Sequence, residues 1–126
     1  MPMIARLAIL AALTMGAAVP AHATQDPPIT IDSHVDIPFN YMGEPRFDAG
    51  KDTRLLVDLG KMERGGLDAA FFVVWVPQHK LDAAGYAKAR AQARQKYDAI
   101  GHMLLAYPDR IRLATTPEQL VANHKA

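Results

Sequence analysis

The stretch ITIDSHVDIPFN, residues 29–40, constrains the fold more than any other part of the sequence. Its apolar and β-branched residues predict a strand over residues 29–37, which the following proline ends because it cannot donate to a sheet ladder. Side chains of a strand alternate between two faces. One face therefore carries Asp32, His34 and Asp36, and the other carries Ile31, Val35 and Ile37. Three ionisable groups on one face are an unusual way to build a core.

The residues that follow predict a loop, a short helix and a second strand. Residues 39–55 lack periodicity and predict a long loop, which is a kind of segment that is often functional. Asp58 is placed to cap a helix that ends at the pair Gly65 and Gly66. Residues 69–76 form an unbroken apolar run, which predicts a strand buried on both faces, as in parallel sheets.

The second half of the chain predicts a long helix, a third strand and a final helix. The long helix spans residues 83–107, and its apolar stripe consists of Ala93, Tyr97, Ile100, Leu104 and Tyr107. The basic residues predicted to lie mostly off this stripe, on a solvated face, are Lys88, Arg90, Arg94 and Lys96. Residues 111–116 predict a short strand. Thr116, Pro117 and Gln119 then predict a helix start with a capping box.

This order of elements predicts an α/β fold with a parallel sheet and crossover helices. A closed (β/α) barrel takes about 250 residues, whereas this sequence has 126. The sequence also ends within a helical pattern. We therefore expect the first three or so βα units of a TIM-type barrel, incomplete in this chain.

The amino-terminal residues 1–23 predict a secretory signal peptide. Arg6 precedes an apolar run, and Ala21-His22-Ala23 forms a small-x-small cleavage pattern. The alternative is an uncleaved anchor, but the apolar run is shorter than the roughly 20 residues that span a bilayer. We expect cleavage after Ala23 and export to the periplasm or the outside. Residues 24–126 would then be the amino-terminal part of the folded domain, with no membrane span after cleavage.

The net charge and the cysteine count bear on nucleic-acid binding and on disulfide bonds. The net charge is +1, and removal of Arg6 with the signal peptide brings it near zero. A neutral chain gives no reason to expect a nucleic-acid partner. There is no cysteine, so an exported protein of this sequence depends on its core or on a metal and not on disulfides.

The spacing of His34 and Asp36 permits a metal site at the carboxyl end of the first strand. The two residues are at positions i and i+2, so their side chains project the same way, and imidazole and carboxylate are both normal zinc ligands. A hydrogen-bonded His–Asp pair without metal remains an open alternative. Asp32 either orients this site as a hydrogen-bond acceptor, or it caps a turn or pairs with Arg46 or Arg54.

The segment IDSHVDIP resembles the opening metal motif of the membrane dipeptidase (renal dipeptidase) family of zinc peptidases. That motif typically reads Asp-x-His-x-Asp, an apolar residue and proline, and here it falls on Asp32, His34, Asp36, Ile37 and Pro38. A second block, DLGKMERGGLDAAFFVVWVP, resembles the family's segment Asp-Leu-x-x-Leu/Met-x-x-Gly-Gly and the aromatic-rich strand after it. The two blocks occur in the family's order and together cover about residues 29–77.

The resemblance implies a metal-dependent (β/α) barrel that hydrolyses dipeptides. It implies two zinc ions at the strand ends, with His34 and Asp36 holding the first and Asp32 behind them. A bridging glutamate and two further histidines complete the family's site, and a metal-bound water attacks the peptide carbonyl. We expect those ligands to lie beyond Ala126, so no catalytic residue is assigned in this chain and the chain alone is expected to be inactive. The resemblance leaves a homodimer open for the complete protein.

Two other functions remain open at the level of sequence. One is another amidohydrolase-type barrel acting on a non-peptide amide or ester, although such barrels usually open with His-x-His, and here Val35-Asp36 follows His34. The other is a non-enzymatic exported fragment. The remaining histidines after the second strand are His79, His102 and His124, and each is expected to be a surface or packing residue.

Overall fold

Residues 27–126 are described in a computed structural model of the protein. The chain forms a mixed α/β structure with strands β1 (Ile31–Asp36) and β2 (Ala69–Val73) and helices α1 (Leu59–Gly65), α2 (Ala83–Ala106) and α3 (Pro117–His124). A short 3-10 helix, Pro45–Phe47, lies in the loop after β1. The signal-peptide prediction for residues 1–23 lies outside the described residues. Within the described part, no helix is long and apolar enough to cross a membrane.

The strands β1 and β2 pair in parallel, as the alternation of elements predicts. Ile31 lies opposite Ala69 and Val35 lies opposite Phe72, and the register shifts between Asp32 and Val35. A parallel pair needs a crossover connection, which here contains the long loop and α1. The carboxyl ends of the two strands therefore lie side by side at one edge of the structure.

Helix α1 begins and ends where the sequence predicts. The Asp58 side chain accepts a hydrogen bond from the Lys61 backbone N–H at 2.9 Å, which satisfies one of the free amides of the first turn. Gly66 ends the helix with a φ of 66°, a left-handed conformation that a side chain would strain. Both signals are local, so they act without help from distant residues.

Asp58 is also the centre of a buried polar network that holds the loop before α1. Its carboxylate is 1% exposed and accepts hydrogen bonds from the Thr53 backbone N–H at 3.0 Å, the Thr53 hydroxyl at 2.9 Å and the Lys61 ammonium at 2.8 Å. Lys61 also donates to the carbonyl oxygens of Thr53 and Leu55. Burial by itself raises the pKa of Asp58, but the hydrogen bonds from Lys61 and Thr53 outweigh it and hold that pKa well below its usual range.

The hydrophobic core lies between the long loop, α1 and one face of α2. Its buried members are Ile37, Tyr41, Ala49, Leu59, Met62 and Met103. Tyr41 donates a hydrogen bond to the Met103 sulfur at 3.1 Å. Burial raises the pKa of the Tyr41 hydroxyl well above its usual range, so the group stays a neutral donor. The loop thus supplies core residues in addition to its connecting role.

The predicted apolar stripe of α2 is displaced by about one residue. Tyr97 is 63% exposed, whereas Lys96 and Met103 are the buried residues of the helix. Ile100 and Tyr107 contact the core as predicted. The displacement arises because α2 lies against the loop after β1 as well as against the sheet, and this tertiary contact selects the buried face.

The prediction that the second strand is buried on both faces is wrong for the described residues. The strand ends at Val73, and the Phe71 side chain is 66% exposed. Phe72, on the opposite face, contacts the core. The sheet has two strands in residues 27–126, and the core packs on the Phe72 face, so the Phe71 side chain on the other face stays exposed.

The third predicted strand is not formed, because residues 111–116 have no ladder partner in the described part of the chain. The Leu113 carbonyl accepts instead from the Asn123 side chain at 3.1 Å. Helix α3 does begin at the predicted cap, where Thr116 accepts from the Gln119 backbone N–H at 3.2 Å. The Gln119 side chain, however, accepts from the N–H and hydroxyl of Thr115, one residue before the expected position.

A close approach joins the end of α2 to the loop after β1. Tyr107 donates a hydrogen bond to the Asp48 carboxylate at 2.6 Å, and Arg110 donates to the Gly50 carbonyl at 3.1 Å. A Cβ atom at Gly50 would lie 2.0 Å from the Tyr107 ring. The ring occupies the space that a side chain at this position would need.

Candidate active site

His34 and Asp36 lie at the carboxyl end of β1 and meet as their spacing predicts. The Nε2 atom of His34 is 3.6 Å from the Oδ2 atom of Asp36, and the two side chains are 62% and 66% exposed. The apolar residues Val35 and Ile37 are buried. The alternation of the strand therefore buries Val35 and Ile37 and leaves the imidazole and carboxylate accessible, whereas Ile31, predicted on the buried face, is 48% exposed at the start of the strand.

Asp32 acts on the backbone of the strand in this structure. Its Oδ1 atom accepts a hydrogen bond from the His34 backbone N–H at 2.8 Å. That bond lies where the register of β1 shifts, so Asp32 satisfies a donor that the irregular ladder leaves free. Arg46, one of its two candidate partners, binds Glu44 at 2.7 Å. Asp32 thereby fixes the residue that carries the candidate ligand.

The pair of donor atoms fits one edge of a zinc site. Zinc binds imidazole nitrogen and carboxylate oxygen at about 2.1 Å in tetrahedral geometry, so two such ligands lie about 3.4 Å apart. The observed 3.6 Å between His34 and Asp36 is close to that separation. Residues 27–126 contain no group of three or more His, Cys, Asp or Glu side chains that could hold a metal ion. This described part of the chain thus offers two ligands at the site, fewer than the three or four of known sites.

A cavity of about 440 Å³ opens beside this pair. Its walls are His34 and Asp36, the turn of residues 37–39 after β1, Trp75 beyond β2, and Lys96 of α2. A volume of this size lies within the usual range of small-molecule sites. The cavity therefore brings the candidate ligands together with residues from three separate elements.

The prediction that Lys96 lies on a solvated face of α2 is wrong. The residue is 3% exposed, and its ammonium lies 4.8 Å from the centre of the Phe39 ring and 5.7 Å from the centre of the Trp75 ring. Gln95 donates to the Phe39 carbonyl at 2.7 Å and fixes the turn against α2. One signal was present: Lys96 precedes Ile100 and Met103 by four and seven residues, which is the spacing of a single helix face.

The other histidines of residues 27–126 lie away from this cavity. The Nε2 atom of His79 is 2.7 Å from the Gln92 side-chain oxygen, His102 is exposed on α2, and His124 lies 3.5 Å from Asp68.

A larger cavity of about 910 Å³ lies elsewhere, between β2, α2 and residues 109–117. It is lined mainly by apolar side chains and does not include His34 or Asp36. It lies beside the segment that was predicted as a third strand, and the candidate ligands lie outside it.

Two comparisons with known proteins give a match, one to a protein family and one to a solved structure. The family model described as membrane dipeptidase (Peptidase family M19) matches residues 20–126. Among solved structures, the crystal structure of the probable dipeptidase PvdM from Pseudomonas aeruginosa is similar to this chain, with a TM-score of 0.70 and 24% sequence identity. The match covers 77% of this chain and 25% of that chain, so this chain spans about a quarter of its length. At that identity the likeness shows the fold alone. No curated protein matches the chain.

Proposed function

The chain belongs to the membrane dipeptidase family, peptidase family M19, and from that membership we propose that it is part of a zinc-dependent dipeptidase. The substrates would be dipeptides, and the reaction would be hydrolysis of their peptide bond. The chain would form the first βα units of a (β/α) barrel whose remaining strands come from a longer protein. The parallel pairing of β1 and β2 and the likeness to the PvdM fold support this architecture.

The observation that carries the proposal is the approach of His34 Nε2 to Asp36 Oδ2, at 3.6 Å. The pair lies at the carboxyl end of a parallel strand, where barrel enzymes have their active sites. It also lies within the segment that the family model matches. We assign His34 and Asp36 as ligands of the first zinc ion, and Asp32 as the residue that orients them through the backbone of β1.

The two donors bind a metal only in their deprotonated forms, so acid weakens the site. Zinc, when bound, lowers the pKa of its water to about 7 and polarises the carbonyl that is attacked. His34 and Asp36 fix the position of that chemistry at the mouth of the cavity. A bridging glutamate and two further histidines would complete a site for two zinc ions. Because residues 27–126 supply no group of three ligands, we expect this chain by itself to be inactive.

The proposal includes the place where the protein acts. Residues 1–23 would serve as a signal peptide, and the mature protein would work in the periplasm or outside the cell. The near-neutral charge of the mature part and the small cavity suit a small dipeptide partner, and that charge gives no reason to expect a nucleic-acid partner. A homodimer of the complete protein is compatible with this arrangement.

The test is an assay of the full-length protein that contains this sequence. Purified protein is incubated with a panel of dipeptides, including some with a D-residue at the carboxyl side, and with tripeptides, esters and non-peptide amides. We expect hydrolysis of the dipeptides, loss of activity when a chelator removes zinc, and recovery when zinc is restored. Turnover of esters or non-peptide amides without dipeptide hydrolysis would instead identify another amidohydrolase-type barrel.

A further inference from the structure

A buried cation shares the cavity of the candidate ligands. Lys96 projects from α2, is 3% exposed and lines the cavity together with His34 and Asp36. Within residues 27–126 its ammonium makes no hydrogen bond and no ion pair. Among the described residues, every side-chain nitrogen or oxygen that is sealed from solvent has a hydrogen-bond partner. The Lys96 ammonium has no such partner, so it is not sealed and is accessible from the cavity that the residue lines.

Aromatic rings hold this ammonium in place. The faces of Phe39 and Trp75 lie 4.8 Å and 5.7 Å from it, within the range of cation–π attraction. Gln95 ties the Phe39 backbone to α2, so the ring and the lysine are fixed to the same helix. The cation consequently has a defined position in a side chain that is 3% exposed as a whole.

A desolvated cation without a counter-ion is unfavourable, and an anion in the cavity would offset that cost. Asp36 is the carboxylate of this cavity, but it lies beside His34 and makes no ion pair with Lys96. In the proposed function Asp36 binds zinc, so its charge is already committed. The cavity then presents net positive charge to a substrate.

We propose that Lys96 binds a carboxylate of the dipeptide substrate and thereby sets its position relative to His34 and Asp36. This inference rests on the proposed function. A dipeptide always has a carboxylate at its carboxyl terminus, and it has a second one when a side chain is acidic. An ammonium group recognises both by the same charge-assisted hydrogen bonds.

The experiment compares Lys96→Met with the wild type in the full-length protein. Methionine keeps an unbranched apolar stem between the rings and removes the charge. Lys96→Arg keeps the charge, and Lys88→Met, at an exposed position of the same helix, is the matched control.

The substrates are glycyl-D-alanine, its carboxyl-terminal amide and glycyl-aspartate. Zinc content is measured for every protein, and titration calorimetry with glycyl-D-alanine on zinc-free protein measures binding without turnover.

Loss of a charge-assisted bond is expected to raise the KM of Lys96→Met by about tenfold to a hundredfold, with a smaller change in kcat. If Lys96 binds the terminal carboxylate, both free dipeptides are affected, the amide is not, and the calorimetric affinity falls. If it binds an acidic side chain, glycyl-aspartate alone is affected. Lys96→Arg should retain most of the affinity, and Lys88→Met should match the wild type.

Equal KM values for Lys96→Met and the wild type on all three substrates would overturn the inference. If Lys96→Met does not fold, the wild type still decides the matter. Equal KM values of the wild type for glycyl-D-alanine and its amide, with no preference for glycyl-aspartate, would show that no carboxylate is recognised. A wild type that hydrolyses no dipeptide at all would instead reject the proposed function itself.

Discussion

The Asp58 carboxylate lies 2.8 Å from the Lys61 ammonium in the interior, at the point where the long loop enters α1. We expect Asp58→Ala to destabilise the protein by about 3 kcal/mol, because it removes a helix cap, leaves the Lys61 ammonium without its counter-ion and leaves the Thr53 amide without its acceptor. Urea unfolding of the full-length protein measures the loss. Asp82→Ala, which removes the exposed cap of α2, is the control and should cost about 1 kcal/mol. Equal losses would contradict the buried network.

The same carboxylate predicts how stability depends on pH. The pKa of Asp58 is depressed in the folded state, so its contribution is complete above the unfolded-state pKa of about 3.9 and is lost as the pH falls below it. One such proton changes the free energy of unfolding by up to about 1.4 kcal/mol per pH unit. Unfolding curves recorded from neutral pH into acid should therefore fall less steeply for Asp58→Asn than for the wild type. Parallel curves would assign the acid sensitivity to other carboxylates.

The buried face of α2 can be tested with two residues of the same helix. Met103 is 1% exposed and contacts Tyr41 in the core, so Met103→Ala should cost about 2–5 kcal/mol. Tyr97 is largely exposed, and Tyr97→Ala should change stability by about 0.5 kcal/mol or less. Urea unfolding of both variants decides between the two faces. A larger loss for Tyr97→Ala would restore the stripe predicted from the sequence.

Zinc content tests the two candidate ligands directly. His34→Ala and Asp36→Ala in the full-length protein should each remove a ligand. Substituting a residue that only hydrogen-bonds to a metal ligand typically lowers metal affinity roughly 10–100-fold, and we expect a larger loss of zinc affinity here. Dipeptide hydrolysis should fall with the metal. The control is His102→Ala, because His102 is exposed on α2 and away from the cavity. Full zinc content and activity in either ligand variant would reject that residue as a ligand.

The exposed Phe71 face of β2 predicts that residues 24–126, produced alone, associate with one another. Phe71 and Leu113 are exposed and line the same 910 Å³ cavity, and contiguous apolar surface of this kind promotes association. We expect self-association and strong binding of the dye ANS. The variant Phe71→Thr with Leu113→Ser should reduce both, whereas Leu56→Ser, at an exposed leucine outside that cavity, should reduce neither. A monomer that binds no dye would contradict this prediction.

Local signals made part of the fold predictable. The cap at Asp58, the left-handed Gly66 and the cap at Thr116 act over a few residues, so the sequence alone located the starts of α1 and α3 and the end of α1. The alternation of polar and apolar residues in β1 likewise predicted that His34 and Asp36 meet. Each of these features depends on backbone geometry that neighbours in sequence determine.

Features that depend on distant residues were not predictable in this way. The burial of Lys96 requires Phe39 from the loop after β1 and Trp75 from the end of β2, and no pattern within α2 specifies those rings. The strand predicted over residues 111–116 fails for the same reason, since a strand exists only where a neighbour completes its ladder. The residue types of a segment indicate its secondary-structure propensity. Burial of a side chain and pairing of a strand also depend on segments that are distant in sequence.

The close approach of Gly50 to the Tyr107 ring restricts which sequences this loop can accept. Loops usually tolerate substitution, but any residue larger than glycine at position 50 would have to displace the ring. Displacement would break the hydrogen bond from Tyr107 to Asp48 and so release the end of α2. Among natural variants of this protein, position 50 should therefore stay glycine for as long as position 107 stays aromatic, and a larger residue at position 50 should appear only together with a smaller one at position 107.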